Sequence, residues 1–224
     1  MARWTEQWLI CGVPGSGKSY MAHRLVERSA NVRRESVAGF ESFDTDARVW
    51  VYDPTRQWRD ERTIKGLPVL EWEERGEYPF VGFDDEQIEE VCETAGGDGE
   101  LRAIVVFDEC LTIENAMYPA IKRMCALRRH RDIELFFCTQ RPRTIPVPVL
   151  ALCSQVVCFQ LHHPDDIKHL RGVLQPADLD RLPSLALPTK KTAPEYLHRD
   201  MTGKGRKDES PRADQDRPRR GGGL

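Results

Sequence analysis

Three short clusters in the 224-residue chain carry the residue types of phosphate chemistry. The first is Gly12-Val13-Pro14-Gly15-Ser16-Gly17-Lys18-Ser19, which satisfies G-x-x-x-x-G-K-[ST] at every fixed position and is followed by Tyr20. Glycines at those places let a backbone wrap closely around an anion, so that successive N–H groups point at phosphate oxygens from a helix N-terminus. Lys18 is then expected to reach the β and γ phosphates of a nucleoside triphosphate, and the Ser19 hydroxyl to ligate Mg2+. The second cluster is Asp108-Glu109, delivered by the apolar run Ile104-Val105-Val106-Phe107. Asp108 is expected in the magnesium shell, and Glu109 as the general base that polarises the attacking water. The third is Thr139-Gln140 after Leu135-Phe136-Phe137-Cys138, where Gln140 is placed to bond the γ-phosphate or the lytic water. The plain alternatives are a chance glycine turn, a solvated strand end and a turn residue without a role. Glycine loop, acidic pair and polar sensor, in that order, fit an ATPase with an added catalytic glutamate. A nucleotide kinase usually lacks that glutamate. ATP and Mg2+ are therefore the expected ligands.

Such residues must be held by buried strands and by helices packed on them. Residues 8–12 read as a short apolar strand running into the glycine loop, and 18–29 as a helix with Met21, Leu25 and Val26 on its inner face. Residues 31–45 are polar and read as a loop. A second strand spans 48–52 and closes at Asp53-Pro54, and an extended piece is possible at 67–72. Asp84 and Asp85 can cap a helix that turns Ile88, Val91 and Cys92 inward and ends in the glycine-rich stretch 95–99. The third strand, 103–107, is apolar throughout, as a strand buried on both faces requires. A helix from about Pro119 to 129, strands at 133–138 and 155–161 and a helical stretch at 165–174 complete the pattern. Strands alternating with helices predict an α/β fold, a mostly parallel sheet with helices on both faces and ligands at the C-terminal strand edge. This is the P-loop NTPase core of the ASCE/RecA-like kind.

Bulk properties narrow the setting. With 40% hydrophobic and 31% charged residues the chain has the composition of a water-soluble domain, and no apolar run approaches the ~20 residues of a membrane helix. The first residues lack a signal peptide's apolar core, so a cytoplasmic location is expected, in a cell or a host. Seven scattered cysteines without a CxxC pair read as buried free thiols rather than a disulfide framework or zinc site. A net charge of -3 excludes a polycation, so any nucleic-acid surface must be local. From residue 199 onward eight Lys/Arg face five Asp/Glu among Gly and Pro. The expected organisation is one ATPase domain over 1–198 and a disordered charged tail over 199–224.

These motifs resemble the FtsK/HerA superfamily of DNA-pumping ATPases. The resemblance is carried by Gly12 through Tyr20, by Val106-Phe107-Asp108-Glu109, and by the stretch from Arg128-Arg129-His130-Arg131 to Thr139-Gln140-Arg141-Pro142. It covers most of residues 6–174 and is weakest over 54–100. Within that group the chain is most similar to the genome-packaging ATPases of double-jelly-roll viruses, and it also resembles the zonula occludens toxin-type assembly ATPases of filamentous phages. The resemblance implies ATP hydrolysis coupled to movement of double-stranded DNA. It also implies a homo-oligomeric ring, often a hexamer, with a viral capsid or membrane-vertex component as a further partner. The alternatives are an extrusion ATPase of the phage type and a nucleotide switch without nucleic acid. A ring requires an arginine supplied across the subunit boundary, and Arg129 is the first choice among Arg123, Arg128, Arg129 and Arg131. The plain reading of those arginines is a basic helix end facing the helix dipole. Asp53 is read as structural, Trp58 as packing rather than base stacking, and His162-His163 with Asp165-Asp166 as a strand end with a helix cap rather than a metal cluster.

Overall fold

The computed structural model describes residues 5–31, 33–37, 40–45, 47–61, 63–64, 66–74, 79–96 and 102–202. The glycines expected to follow the third helix at 97–99, the first four residues and the tail from 203 onward lie outside the described residues.

The strands, in chain order, are β1 (Gln7–Cys11), β2 (Arg33–Val37), β3 (Phe40–Asp44), β4 (Ala47–Tyr52), β5 (Thr63–Ile64), β6 (Leu67–Pro68), β7 (Phe80–Phe83), β8 (Arg102–Phe107), β9 (Ile133–Thr139), β10 (Gln155–Cys158) and β11 (Leu197–Asp200). Between them run the helices α1 (Lys18–Ala30), α2 (Gln57–Glu61), α3 (Ile88–Thr94), α4 (Tyr118–Leu127), α5 (Val147–Leu150), α6 (Pro164–His169) and α7 (Pro176–Arg181). Seven strands form the main sheet in the order β11-β10-β1-β9-β8-β4-β7. All neighbours run parallel except β11, which pairs antiparallel with β10 at the edge. The strand of the glycine loop, β1, and the strand of the acidic pair, β8, are separated by β9. That inserted strand defines the ASCE arrangement anticipated from the order of the motifs.

Because successive side chains of a strand face opposite ways, each central strand feeds two cores. Leu9 and Cys11 of β1, with Val105 and Phe107 of β8, join Ile88 and Val91 of α3 and Ile121 and Met124 of α4 on one face. Ile10, Ile104 and Val106 join Ala22, Val26 and Ala30 of α1 on the other. All of these residues are buried. Helices thus cover both faces, as the uninterrupted apolar strands require. The inner face of α1 is Ala22, Val26 and Ala30, while the expected Met21 and Leu25 are partly buried at its margin. The small residues let the helix lie close on the sheet.

Several elements depart from expectation. The polar stretch read as a loop forms an antiparallel hairpin of β2 and β3. Strand β7 follows the extended piece near residue 70, and the bridge Leu70↔Val81 aligns the two. The boundary expected at residue 199 falls inside β11, whose Arg199 guanidinium holds the Asp178 carboxylate at 2.6 Å. All seven cysteines are free and buried, as the scattered spacing implied.

Candidate active site

Four strand ends build the site. The glycine loop leaves β1 and is anchored between two neighbours: Gly12 N–H donates to the Thr139 carbonyl at 3.3 Å and Val13 N–H to the Gln160 carbonyl at 2.9 Å. The anchoring leaves no room for a side chain at Gly12, where a Cβ would stand 2.6 Å from Phe159 Cβ and 2.8 Å from Ser16 Oγ. No side chain caps the first turn of α1, so its backbone donors stay available to an anion. Lys18, 8% exposed, folds its ammonium back to donate to the Val13 carbonyl at 3.1 Å. Burial pushes the Lys18 ammonium below the ordinary lysine range, and the nearby Glu109 and Asp108 carboxylates oppose that shift. The Lys18 charge is thus held partly desolvated, an environment in which attraction to an anion is strengthened.

The acidic pair lies across the cleft at the end of β8. Asp108 is buried, and its Oδ2 accepts the Trp58 indole N–H at 2.7 Å. Glu109 has φ 61° and ψ 56°, a left-handed conformation rarely held by a residue with a side chain. Such a backbone costs about 1–2 kcal/mol, and here it turns the carboxylate back towards β9. There Gln140 Nε2 donates to Glu109 Oε2 at 2.7 Å, while Glu109 Oε1 is buried without a protein hydrogen-bond partner. The carboxylate is therefore oriented through one oxygen and has acceptor capacity on the other. Ser16 Oγ is likewise buried without a partner inside the loop. Gln140 itself is braced from behind, since the next residue, Arg141, donates from Nε to the buried Asp166 carboxylate at 2.7 Å.

Pro14, Gly15, Gly17, Lys18, Ser19, Tyr20, Asp108, Glu109 and Gln140 line one cleft of about 470 Å3, together with Thr55 and Gln57. The structure thus brings most of the expected site residues to a single place. Val13 and Ser16 contribute to the loop behind the cleft, and Tyr20 is 70% exposed at its rim. Thr55, Gln57 and Trp58, from the segment after β4, were not anticipated as site residues. Their only sequence signal is Asp53 at a strand end, and Asp53 caps α2 by accepting the Trp58 and Arg59 backbone N–H groups at 2.8 and 3.1 Å.

Ser19 and Asp108 face a common space with the donor chemistry that Mg2+ takes: a hydroxyl, a carboxylate and room for phosphate and water oxygens. No cluster of three His, Cys, Asp or Glu suited to a metal occurs among the described residues. His163 Nδ1 accepts the Asp165 backbone N–H and starts α6, as the helix-cap reading requires.

The four arginines before β9 do not share a fate. Arg128 is buried and donates to the Cys125 and Leu152 carbonyls, Arg131 donates to the Cys92 and Glu93 carbonyls, and Arg123 pairs with Glu93. Arg129 is exposed. It precedes the start of β9, whereas Gln140 follows its end. Seven strand residues at about 3.3 Å each put roughly 20 Å between Arg129 and the cleft of its own chain.

Sheet order, anchored glycine loop and opposed carboxylates together define an α/β P-loop NTPase fold. Neither the protein-family models nor the curated proteins compared with this chain match its sequence. Solved structures do match in fold. The genome packaging NTPase B204 from Sulfolobus turreted icosahedral virus 2, in complex with AMPPCP, superposes with a TM-score of 0.61 at 13% identity, over 88% of this chain and 92% of that one. B204, the DNA-packaging ATPase of Sulfolobus turreted icosahedral virus, gives 0.60 at 16% identity over 88% and 92%. The pCW3 conjugation coupling protein TcpA with ATPγS gives 0.50 at 16% identity, over 88% of this chain and 58% of that one. At such identities the likeness is one of fold.

Proposed function

We propose that this protein is a Mg2+-dependent ATPase that translocates double-stranded DNA, as a packaging motor working in a homo-oligomeric ring. The hydrolytic part rests on one observation: Glu109 lines the same cleft as Lys18, is held by Gln140 through Oε2, and keeps its Oε1 buried without a protein hydrogen-bond partner. Glu109 Oε1 accepts a proton of the attacking water, and Gln140 fixes the direction of that carboxylate. Lys18 and the loop N–H groups bind and orient the β and γ phosphates. Ser19 and Asp108 hold Mg2+, which when bound offsets charge on the phosphate oxygens. The role in DNA movement is supported by the motif resemblance and by the fold shared with viral packaging ATPases. Arg129 serves the neighbouring protomer's γ-phosphate, because its own cleft is out of reach.

The test is the ATPase rate of the purified chain with and without duplex DNA of unrelated sequences, alongside its mass in solution. Stimulation by every duplex, lost as salt rises because the contacts fall on phosphates, is the expected result. Hydrolysis indifferent to DNA overturns the motor and leaves a nucleotide switch or an assembly ATPase. A wild-type chain without hydrolysis under any condition overturns the enzyme.

A further inference from the structure

Trp58 is completely buried at the start of the short helix α2, and its environment is built to hold it still. Its backbone N–H donates to Asp53 Oδ2 at 2.8 Å, and its ring packs against His23 of α1 with centroids 5.4 Å apart. The next residue, Arg59, donates to the Asp53 carbonyl at 2.6 Å and to Glu71 at 2.7 Å. Room for that guanidinium exists because residue 82 of β7 is glycine, where a Cβ would meet Arg59 Cδ at 2.7 Å. A five-residue helix has no stability of its own. Here a capping carboxylate, the Arg59–Glu71 ion pair and a glycine-sized recess fix it. The product of this bracing is one hydrogen bond, from the indole N–H to Asp108 Oδ2 at 2.7 Å.

A buried indole needs some acceptor, and a backbone carbonyl would serve. The acceptor is instead the carboxylate that lines the cleft beside Ser19. Holding Oδ2 restrains the way this carboxylate faces the cleft. The ring also touches His23 of the helix that begins with Lys18 and Ser19, so one side chain contacts both walls of the cleft. We infer that Trp58 is a positioning residue for the divalent cation, orienting Asp108 to take Mg2+; this rests on the nucleotide-binding reading above.

The full chain would be titrated with AMPPCP in EDTA, and then with MgCl2 at fixed AMPPCP, for the wild type, Trp58→Phe and Trp58→His. Phenylalanine keeps a ring and loses the donor, whereas histidine restores an N–H on a smaller ring. An N–H bond to a carboxylate is worth about tenfold or more in an equilibrium. The expected result is an AMPPCP affinity in EDTA within about twofold of wild type for Trp58→Phe, a Mg2+ midpoint raised about tenfold, and partial recovery in Trp58→His. An unchanged midpoint, or an equal loss of affinity with and without Mg2+, overturns the inference and leaves Trp58 as packing. Should both variants unfold, the wild-type indole N–H resonances decide. Adding Mg2+ to the AMPPCP complex must move the Trp58 proton and leave that of Trp8, bonded to Glu134, in place; a stationary Trp58 proton overturns the inference. A wild type that binds no AMPPCP with or without Mg2+ overturns the nucleotide reading itself.

Discussion

At the scale of single residues, Glu109 occupies a left-handed backbone and Lys18 a partly desolvated pocket. Glu109→Gln keeps the Gln140 contact in reach and removes the base. It is expected to bind ATP with Mg2+ as the wild type does and to turn over about 10²–10⁴-fold more slowly; single-turnover hydrolysis beside equilibrium binding checks this, and wild-type turnover would remove Glu109 from the role of base. Lys18 has the opposite profile. Because burial lowers its pKa, the folded state disfavours the ammonium, and that cost is present at neutral pH and relieved as pH rises through the lowered value. Lys18→Met should therefore lose nucleotide affinity while melting about 2 °C higher without ligand, roughly 1 kcal/mol in a chain of this size. Scanning calorimetry of the two unliganded proteins decides.

At the scale of elements, the strand least visible in sequence has a pH-dependent tie. Arg199 of β11 bonds Asp178 through Nε at 2.8 Å and Nη2 at 2.6 Å. The guanidinium holds the Asp178 carboxyl below its usual range. A depressed folded pKa contributes stability above the unfolded value of about 3.9 and loses it as pH falls through the folded value. Arg199→Ala should cost about 1 kcal/mol at pH 7, and the gap in melting temperature from wild type should close below about pH 4. The central strands were legible because burial on both faces demands the apolar runs of β1, β4, β8, β9 and β10. Strand β11 reads Leu-His-Arg-Asp and buries only Leu197, so it shows no apolar run. Strand β7 is four residues long and contains a glycine, which in sequence marks a turn. Its glycine instead makes room for Arg59. The glycine loop, Asp108, Glu109 and Gln140 follow strand ends and were found by motif. Trp58 was not, because its partner lies 50 positions away and no spacing rule connects an indole to a carboxylate at that distance.

At the scale of the molecule, the described residues that line the cleft include one lysine and no arginine. An arginine supplied across an interface accounts for about 10³–10⁵ in turnover where it operates. Arg129→Ala is expected to bind ATP normally and hydrolyse it at the level of an isolated protomer. Arg128→Ala should instead lose stability, because its guanidinium bonds the Cys125 and Leu152 carbonyls. Mixing Arg129→Ala with Lys18→Ala should recover part of the activity, since each supplies across one boundary what the other lacks. Complementation absent at every mixing ratio, with rings present, would place the arginine elsewhere.

The two backbone bonds that pin the glycine loop, from residues 12 and 13 to residues 139 and 160, also fix when the site can come into being. The loop and its anchors are more than about 120 positions apart in the chain, so the cradle exists only once β1 has its neighbours β9 and β10 beside it. Pairing strands this far apart in sequence is slow, because the loop entropy is lost before the contacts repay it. On the proposed function, a nucleotide would bind the finished sheet and not template it. ATP added during refolding should leave the rate of folding unchanged and slow only the unfolding.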